Sequence, residues 1–109
     1  MGATIIGLQG DLGSGKTHFV QKFGQVLGIE EHIVSPTFVI MKYYDVAWSG
    51  FKKLIHIDAY RLESSKELLD LGWEDLISNP ENLIFIEWPE KVEDIIPPSA
   101  KRILFKHDQ

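Results

Sequence analysis

The residues with the clearest chemical potential form the stretch GDLGSGKT at positions 10–17. Its spacing, G-x-x-x-x-G-K-T, is the pattern of a phosphate-binding loop. Glycines in such a loop let backbone N–H groups turn toward phosphate oxygens, and the helix that follows adds the positive end of its dipole. The lysine of the pattern reaches the β- and γ-phosphates, and the hydroxyl of the next residue binds Mg²⁺. The predicted ligand-binding residues are Asp11, Leu12, Gly13, Ser14, Gly15, Lys16 and Thr17.

Two acidic residues, Asp58 and Glu87, each follow an apolar run, at residues 54–57 and 83–86. Open α/β sheets bind their ligands at the carboxyl ends of the strands, so both carboxylates are expected beside the loop. One would hold Mg²⁺ through water and the other would orient the attacking water. The alternative for each is a carboxylate that accepts a local backbone N–H. The predicted catalytic residues are Lys16, Asp58 and Glu87, and the predicted metal residues are Thr17, Asp58 and Glu87.

The pattern of apolar residues predicts the strands that position these groups. A short strand precedes the loop, and a helix that begins near Lys16 has apolar residues at helical spacing before Gly28 stops it. Two strands rich in β-branched and aromatic residues flank a predicted turn at residues 45–50 and would form a hairpin. Strands that alternate with helices favour a three-layer α/β/α fold, with a mainly parallel sheet plus the antiparallel hairpin. The predicted strands are residues 3–9, 37–44, 51–57, 83–86 and 101–106.

Helix signals also lie between the later strands. Ser64 and Glu67 fit a capping box, which predicts a helix that ends at Leu71. Two further short helices are predicted at residues 73–77 and 90–95.

Length, charge and composition restrict the class of protein. With 109 residues the chain is expected to be one domain, near the low end for an α/β nucleotide-binding fold. The net charge of −5, without a cluster of lysine and arginine, argues against a direct grip on DNA or RNA. No apolar run approaches the ~20 residues of a membrane span, and there is no cysteine for a disulfide or a thiolate metal site. A cytoplasmic protein without a membrane or DNA partner is therefore expected.

Three further segments follow the loop in order: SPTF at residues 35–38, HIDAYRL at 56–62 and IFIEWPE at 84–90. Together with GDLGSGKT they resemble the TsaE family, also called YjeE, of small bacterial P-loop ATPases. Family members support the threonylcarbamoylation of an adenosine beside the anticodon of tRNA. Members usually extend further than this chain before the first strand and after the last. The resemblance therefore implies that residues 1–109 are a single P-loop ATPase domain, shortened at both ends.

The resemblance also implies roles for residues outside the loop. Thr37 would lie near the γ-phosphate and Mg²⁺, as a sensor of the intact nucleotide. Asp58 and Glu87 match the two acidic residues of the family near the metal. Arg61 would either reach phosphate or tie its loop to the core through an ion pair.

Trp88 has three interpretations. It would cover the nucleotide, meet a partner protein, or fill the core beside the strand that ends at Glu87. His56 and Tyr60 are expected to pack or to form hydrogen bonds.

The function implied by the resemblance is a Mg²⁺-dependent ATPase, weak alone and stimulated by partners, with ATP and Mg²⁺ as cofactors. The partners would be the TsaD and TsaB proteins, which modify tRNA, so this chain would meet tRNA only through them. The phosphate loop alone also allows a small-molecule phosphotransferase or a module that binds nucleotide without turnover. The chain has only Arg61 and Arg102 as arginines, which weakens the phosphotransferase alternative because such enzymes usually carry arginines on a lid.

Overall fold

A five-stranded sheet forms the centre of the fold in the computed structural model, which describes residues 2–11, 15–31, 33 and 40–106. The strands are β1 (Thr4–Gln9), β2 (Met41–Trp48), β3 (Phe51–Asp58), β4 (Asn82–Glu87) and β5 (Lys101–Leu104). They lie in the order β2-β3-β4-β1-β5. β4 is parallel to β1 and β3, β1 is parallel to β5, and β2 is antiparallel to β3. This confirms the predicted parallel sheet with an antiparallel hairpin.

Helices cover both faces of this sheet. They are α1 (Lys16–Val26), α2 (Ser65–Asp70), α3 (Trp73–Ile77) and a 3₁₀ helix (Pro89–Ile95). On one face α1 packs through Val20. On the other face α2, α3 and the 3₁₀ helix pack through Leu68, Trp73 and Val92. The three-layer α/β/α arrangement is therefore confirmed. No helix within the described ranges is both long and apolar enough to cross a membrane.

Strand β4 lies in the middle of the sheet and brings the two acidic strand ends together. All six of its residues are buried, with Phe85 on the α1 side and Ile84 on the opposite side. A strand buried on both faces has a continuous apolar sequence, so the prediction at residues 83–86 is confirmed, with one more residue at each end. The parallel register then pairs Asp58 at the end of β3 with Glu87 at the end of β4.

The predicted turn at residues 45–50 is wrong. Strand β2 continues to Trp48, and the turn is confined to Ser49 and Gly50, whose φ angles are 51° and 86°. Two turn residues with positive φ match the twist of an antiparallel pair. Trp48 pairs with Phe51 beside the turn, although the register shifts between Asp45 and Trp48. Trp48 also stacks on Phe51 across the turn, with 5.9 Å between ring centroids. The hairpin is therefore longer than its sequence indicated.

Two other strand boundaries differ from the predicted ones by more than one residue. The strand predicted at residues 37–44 begins at Met41, because Ile40 has a left-handed φ of 71° that interrupts extended backbone. Residues 34–39 lie outside the described residues. The last strand ends at Leu104, two residues before the predicted end.

The predicted capping box before α2 is wrong in its hydrogen bonds. Ser64 occupies the N-cap position in an extended conformation, but its side chain makes no capping hydrogen bond. The Glu67 backbone N–H donates to the Ser64 backbone carbonyl at 3.3 Å. The Ser65 hydroxyl donates to Asp94 on the 3₁₀ helix. A tertiary contact therefore supports the start of α2 where the sequence indicated a local cap, and the helix ends at Asp70.

Trp73 anchors the layer formed by α2, α3 and the 3₁₀ helix. It is 1% exposed, and its indole N–H donates to the Ile95 carbonyl at 3.0 Å. Trp73→Ala should lower the free energy of unfolding in urea by about 3–5 kcal/mol, because it leaves a cavity and an unpaired carbonyl. Tyr43→Ala is the control, since Tyr43 is 51% exposed and a change within about 1 kcal/mol is expected there. Equal losses in the two variants would show that Trp73 does not anchor this layer.

Candidate functional site

Lys16 is the first residue of α1 and is only 4% exposed. Gly15 at the N-cap has a φ of 103°, a left-handed conformation that glycine adopts without strain. The Lys16 ammonium donates to the Gly10 carbonyl and lies 3.6 Å from the centroid of the Trp88 ring. The lysine side chain therefore connects the start of the phosphate loop to the residue that follows β4.

The charges around Lys16 are mainly negative. Burial lowers the pKa of Lys16 below its ordinary value, while the nearby carboxylates of Glu87, Glu90, Asp58 and Asp11 act in the opposite direction. The site therefore brings negative charge close to the expected place of the phosphates. This charge would repel a polyphosphate without a metal ion, whereas a phosphate group paired with a divalent cation would be accommodated.

Glu87 forms two hydrogen bonds through a single oxygen atom. The Thr17 hydroxyl donates to Oε2 of Glu87 at 2.7 Å, and Nε2 of His56 lies 2.6 Å from the same oxygen. Glu87 is 4% exposed and His56 is fully buried. Thr17 and Glu87, both predicted to bind metal, are thus in direct contact although 70 positions separate them.

Asp58 lies beside Glu87 at the same edge of the sheet. The two residues are register partners on adjacent parallel strands, and such strands lie about 4.8 Å apart. Asp58 is 4% exposed, and its Oδ1 accepts the Tyr60 backbone N–H at 3.0 Å. Asp58 therefore makes the local contact that was the alternative interpretation of this acid, while it also lies next to Glu87.

Trp88 packs against the core, which is one of the three interpretations considered for it, and it also contacts Lys16. It is half-buried and packs against the core cluster on the face opposite α1. Its ring also faces the Lys16 ammonium and lies 5.1 Å from the ring of Tyr60. Its backbone is left-handed, with φ 61° and ψ 50°, a conformation that costs a residue with a β-carbon roughly 1–2 kcal/mol. Such a conformation immediately after a candidate catalytic acid is typical of functional sites.

The structure brings one group of the predicted residues together. The residues that lie together are Lys16, Thr17, Asp58, Glu87 and Trp88. Asp11 and Arg61 are exposed. The predicted residues Leu12, Gly13, Ser14 and Thr37 lie outside the described residues.

Two members of the site were expected only to pack or to form hydrogen bonds. His56 contacts Glu87, and the Tyr60 ring lies against the Trp88 ring in a tilted arrangement. The sequence indicated that His56 lies on the same face of β3 as the predicted site residue Asp58, because side chains two residues apart in a strand share a face. Tyr60 carried no such signal, because its position depends on the turn after β3.

The oxygen atoms at this edge of the sheet suit Mg²⁺. This ion is usually bound by one or two carboxylates, while phosphate and water oxygens complete its octahedron. Asp58 and Glu87 offer carboxylates, and Thr17 offers a hydroxyl in contact with one of them. Among the residues that the structure describes, no three His, Cys, Asp or Glu side chains form a metal-binding group. A metal ion here would take its remaining ligands from phosphate and water oxygens.

A mainly parallel α/β sheet with a phosphate-loop sequence after β1 places the chain in the class of P-loop proteins. Within this class, the family model described as "Threonylcarbamoyl adenosine biosynthesis protein TsaE" matches residues 1–109. The chain belongs to the TsaE family, which confirms the resemblance seen in its motifs.

Curated relatives and a solved structure agree with this assignment. The chain is 36% identical over 102 residues to "tRNA threonylcarbamoyladenosine biosynthesis protein TsaE" of Bacillus subtilis, which covers 94% of this chain. It is 42% identical over 92 residues to the protein of the same name from a Nostoc species, which covers 82% of this chain. The crystal structure of Bacillus subtilis YdiB matches with a TM-score of 0.76 and 29% identity, over 99% of this chain and 62% of YdiB. The chain spans 61% of the Bacillus relative and 54% of the Nostoc relative.

Proposed function

We propose that this chain binds ATP together with Mg²⁺ and hydrolyses the γ-phosphate. The observation that carries the proposal is the 2.7 Å contact between the Thr17 hydroxyl and Glu87, next to the buried Lys16. A loop hydroxyl and a strand-end carboxylate are the pair that holds Mg²⁺ in P-loop NTPases. The carboxylates near Lys16 support a ligand that arrives with a divalent cation.

Each residue has a distinct part in this proposal. The Lys16 ammonium would leave the Gly10 carbonyl and bind the oxygens of the β- and γ-phosphates. Thr17 and one of the two acids, Asp58 or Glu87, would hold the metal ion. The other acid would orient the attacking water and accept its proton. Bound Mg²⁺ would neutralise negative charge on the phosphate oxygens.

We further propose that this ATPase serves the threonylcarbamoylation of tRNA adenosine. Its relatives are named as proteins of tRNA threonylcarbamoyladenosine biosynthesis. The partners would be TsaD and TsaB, and tRNA would be contacted only through them. The net charge of −5 supports an indirect role, because it gives the chain little attraction for a phosphate backbone.

The test is phosphate release from Mg-ATP by the chain alone and after addition of a TsaD–TsaB pair. The expected result is a slow basal rate that increases when the pair is added. ATP binding without any phosphate release, even with the pair present, would favour the nucleotide-binding module instead. ADP formation that depends on an added small-molecule acceptor would favour the phosphotransferase.

The fluorescence of Trp88 should report nucleotide binding. If a phosphate group draws the Lys16 ammonium away from the indole, the environment of the ring changes and its emission should shift. Titration of the wild type with Mg-ATP should therefore change the tryptophan emission, and Trp88→Phe should abolish most of that change. Trp48 and Trp73 are retained in the variant and provide its background signal. An unchanged response in Trp88→Phe would contradict the displacement of Lys16.

A further inference from the structure

His56 is a polar residue inside an otherwise apolar part of β3. It is fully buried, and its Nε2 lies 2.6 Å from Oε2 of Glu87 on the neighbouring strand. The Thr17 hydroxyl donates to this same oxygen at 2.7 Å. Two groups that meet at one carboxylate oxygen restrict the rotation of the carboxylate. His56 is thus placed to determine how Glu87 faces Thr17.

The surroundings of the second ring nitrogen indicate which nitrogen carries the proton. Nδ1 of His56 is buried and has no hydrogen-bond partner within the described part of the chain. A proton on Nδ1 would be a buried donor without an acceptor, which is costly. A neutral ring with its proton on Nε2 avoids this and donates that proton to the Glu87 carboxylate. The geometry therefore favours the Nε2–H tautomer.

We propose that His56 is a positioning residue that holds the Glu87 carboxylate in the orientation needed to bind the metal ion with Thr17. The inference rests on the proposed function, since it concerns the acid assigned to Mg²⁺ or to the attacking water. His56 itself touches neither nucleotide nor metal in this proposal. A hydrogen-bond donor behind a metal-binding group acts in this way in many metal sites, and its loss costs metal affinity. The competing explanation is that His56 only fills space between β3 and α1.

Three substitutions separate positioning from packing. In His56→Gln, the side-chain amide nitrogen reaches about as far as Nε2 and keeps a donor for Glu87. In His56→Asn, the amide nitrogen lies one bond closer to the backbone, near the position of Nδ1, and cannot reach that oxygen. His56→Leu fills the space without any donor. Thermal unfolding of all three variants identifies any that fail to fold.

The main readout is the Mg²⁺ concentration that gives half-maximal enhancement of ATP binding. ATP binding is measured by calorimetry. His56→Leu and His56→Asn should raise this concentration about 10- to 100-fold, as for the loss of other groups that support metal ligands. His56→Gln should stay within about threefold of the wild type, because its donor is retained. ATP binding in the presence of a chelator should be similar in all four proteins. Equal losses in the Gln, Asn and Leu variants would overturn the positioning role in favour of packing.

A second readout does not depend on nucleotide. The ¹⁵N NMR spectrum of the histidine rings should show the Nε2–H tautomer for the signal that disappears in His56→Gln. A neutral ring protonated on Nδ1 would overturn the proposal whatever the nucleotide experiments give, because Nε2 would then have no proton to donate to Glu87. If the wild type fails to bind ATP and Mg²⁺, the proposed function is wrong, and the tautomer alone then decides whether His56 orients Glu87.

Discussion

Replacement of Lys16 with alanine should abolish measurable hydrolysis and weaken the binding of Mg-ATP about 10- to 100-fold. The estimate follows from a charge-assisted hydrogen bond to phosphate, worth about 1.5–3 kcal/mol, where 1.4 kcal/mol is tenfold in affinity. The ammonium lies near the carboxylates of Glu87, Glu90, Asp58 and Asp11. Its removal would leave the phosphates facing negative charge. Calorimetric titration and a phosphate-release assay measure the two losses.

The stability of the protein should change much less than its affinity for nucleotide. Lys16→Ala removes the contact with the Trp88 ring, which stabilises the fold, but it also removes a charge whose burial is unfavourable. These effects oppose each other, so the free energy of unfolding should change by no more than about 1 kcal/mol. Lys22→Ala is the matched control, because Lys22 is an exposed lysine on the same helix, and it should leave binding unchanged. Normal ATP binding by a folded Lys16→Ala variant would reject the assignment of the phosphate loop.

Glu87→Gln should raise the Mg²⁺ concentration needed for ATP binding by at least about 10- to 100-fold, because it removes a metal ligand itself, and the loss of a group that only supports such a ligand already costs this much. The substitution preserves shape, and its amide oxygen can still accept the hydrogen bonds of Thr17 and His56. The fold is therefore expected to survive. Single-turnover phosphate release and calorimetry separate the chemical step from binding. Glu90→Gln is the control, because Glu90 is an exposed acid at the same edge, and it should retain the wild-type Mg²⁺ requirement.

A variant of Asp58, the acid next to Glu87, tests which of the two acids holds the metal ion and which orients the attacking water. Asp58→Asn keeps an oxygen that accepts the Tyr60 N–H, so the local turn should be preserved. Its expected effect is phosphate release about 100-fold slower with ATP affinity within about threefold, because a group that orients or deprotonates water typically contributes 10²–10⁴ to the rate. If Asp58→Asn instead raises the Mg²⁺ requirement and Glu87→Gln slows the chemical step, the two acids exchange roles. Wild-type behaviour of both variants would remove this edge of the sheet from the catalytic site.

Much of the fold could be predicted because its signals are local. The phosphate loop is a continuous stretch, and β4 is an apolar run whose burial on both faces needs no knowledge of its neighbours. The predicted turn at residues 45–50 is wrong because the stacking of Trp48 on Phe51, a contact between two strands, stabilises the end of β2. The predicted capping box of α2 is wrong for a similar reason, since the Ser65 hydroxyl forms a hydrogen bond with Asp94, which is distant in the sequence.

The sequence alone determined the chemistry available at the site: a lysine and a hydroxyl after a glycine-rich loop, and two acids that each end a buried strand. Only the tertiary structure decided which of these groups touch. Thr17, His56 and Glu87 are far apart in the chain, and they meet at one oxygen because the parallel register of β3 and β4 and the packing of α1 place them there. Side-chain contacts of this kind depend on distances of a few ångströms between helices and strands. Sequence patterns show the type and the end of each helix or strand, but not how it is placed against the others.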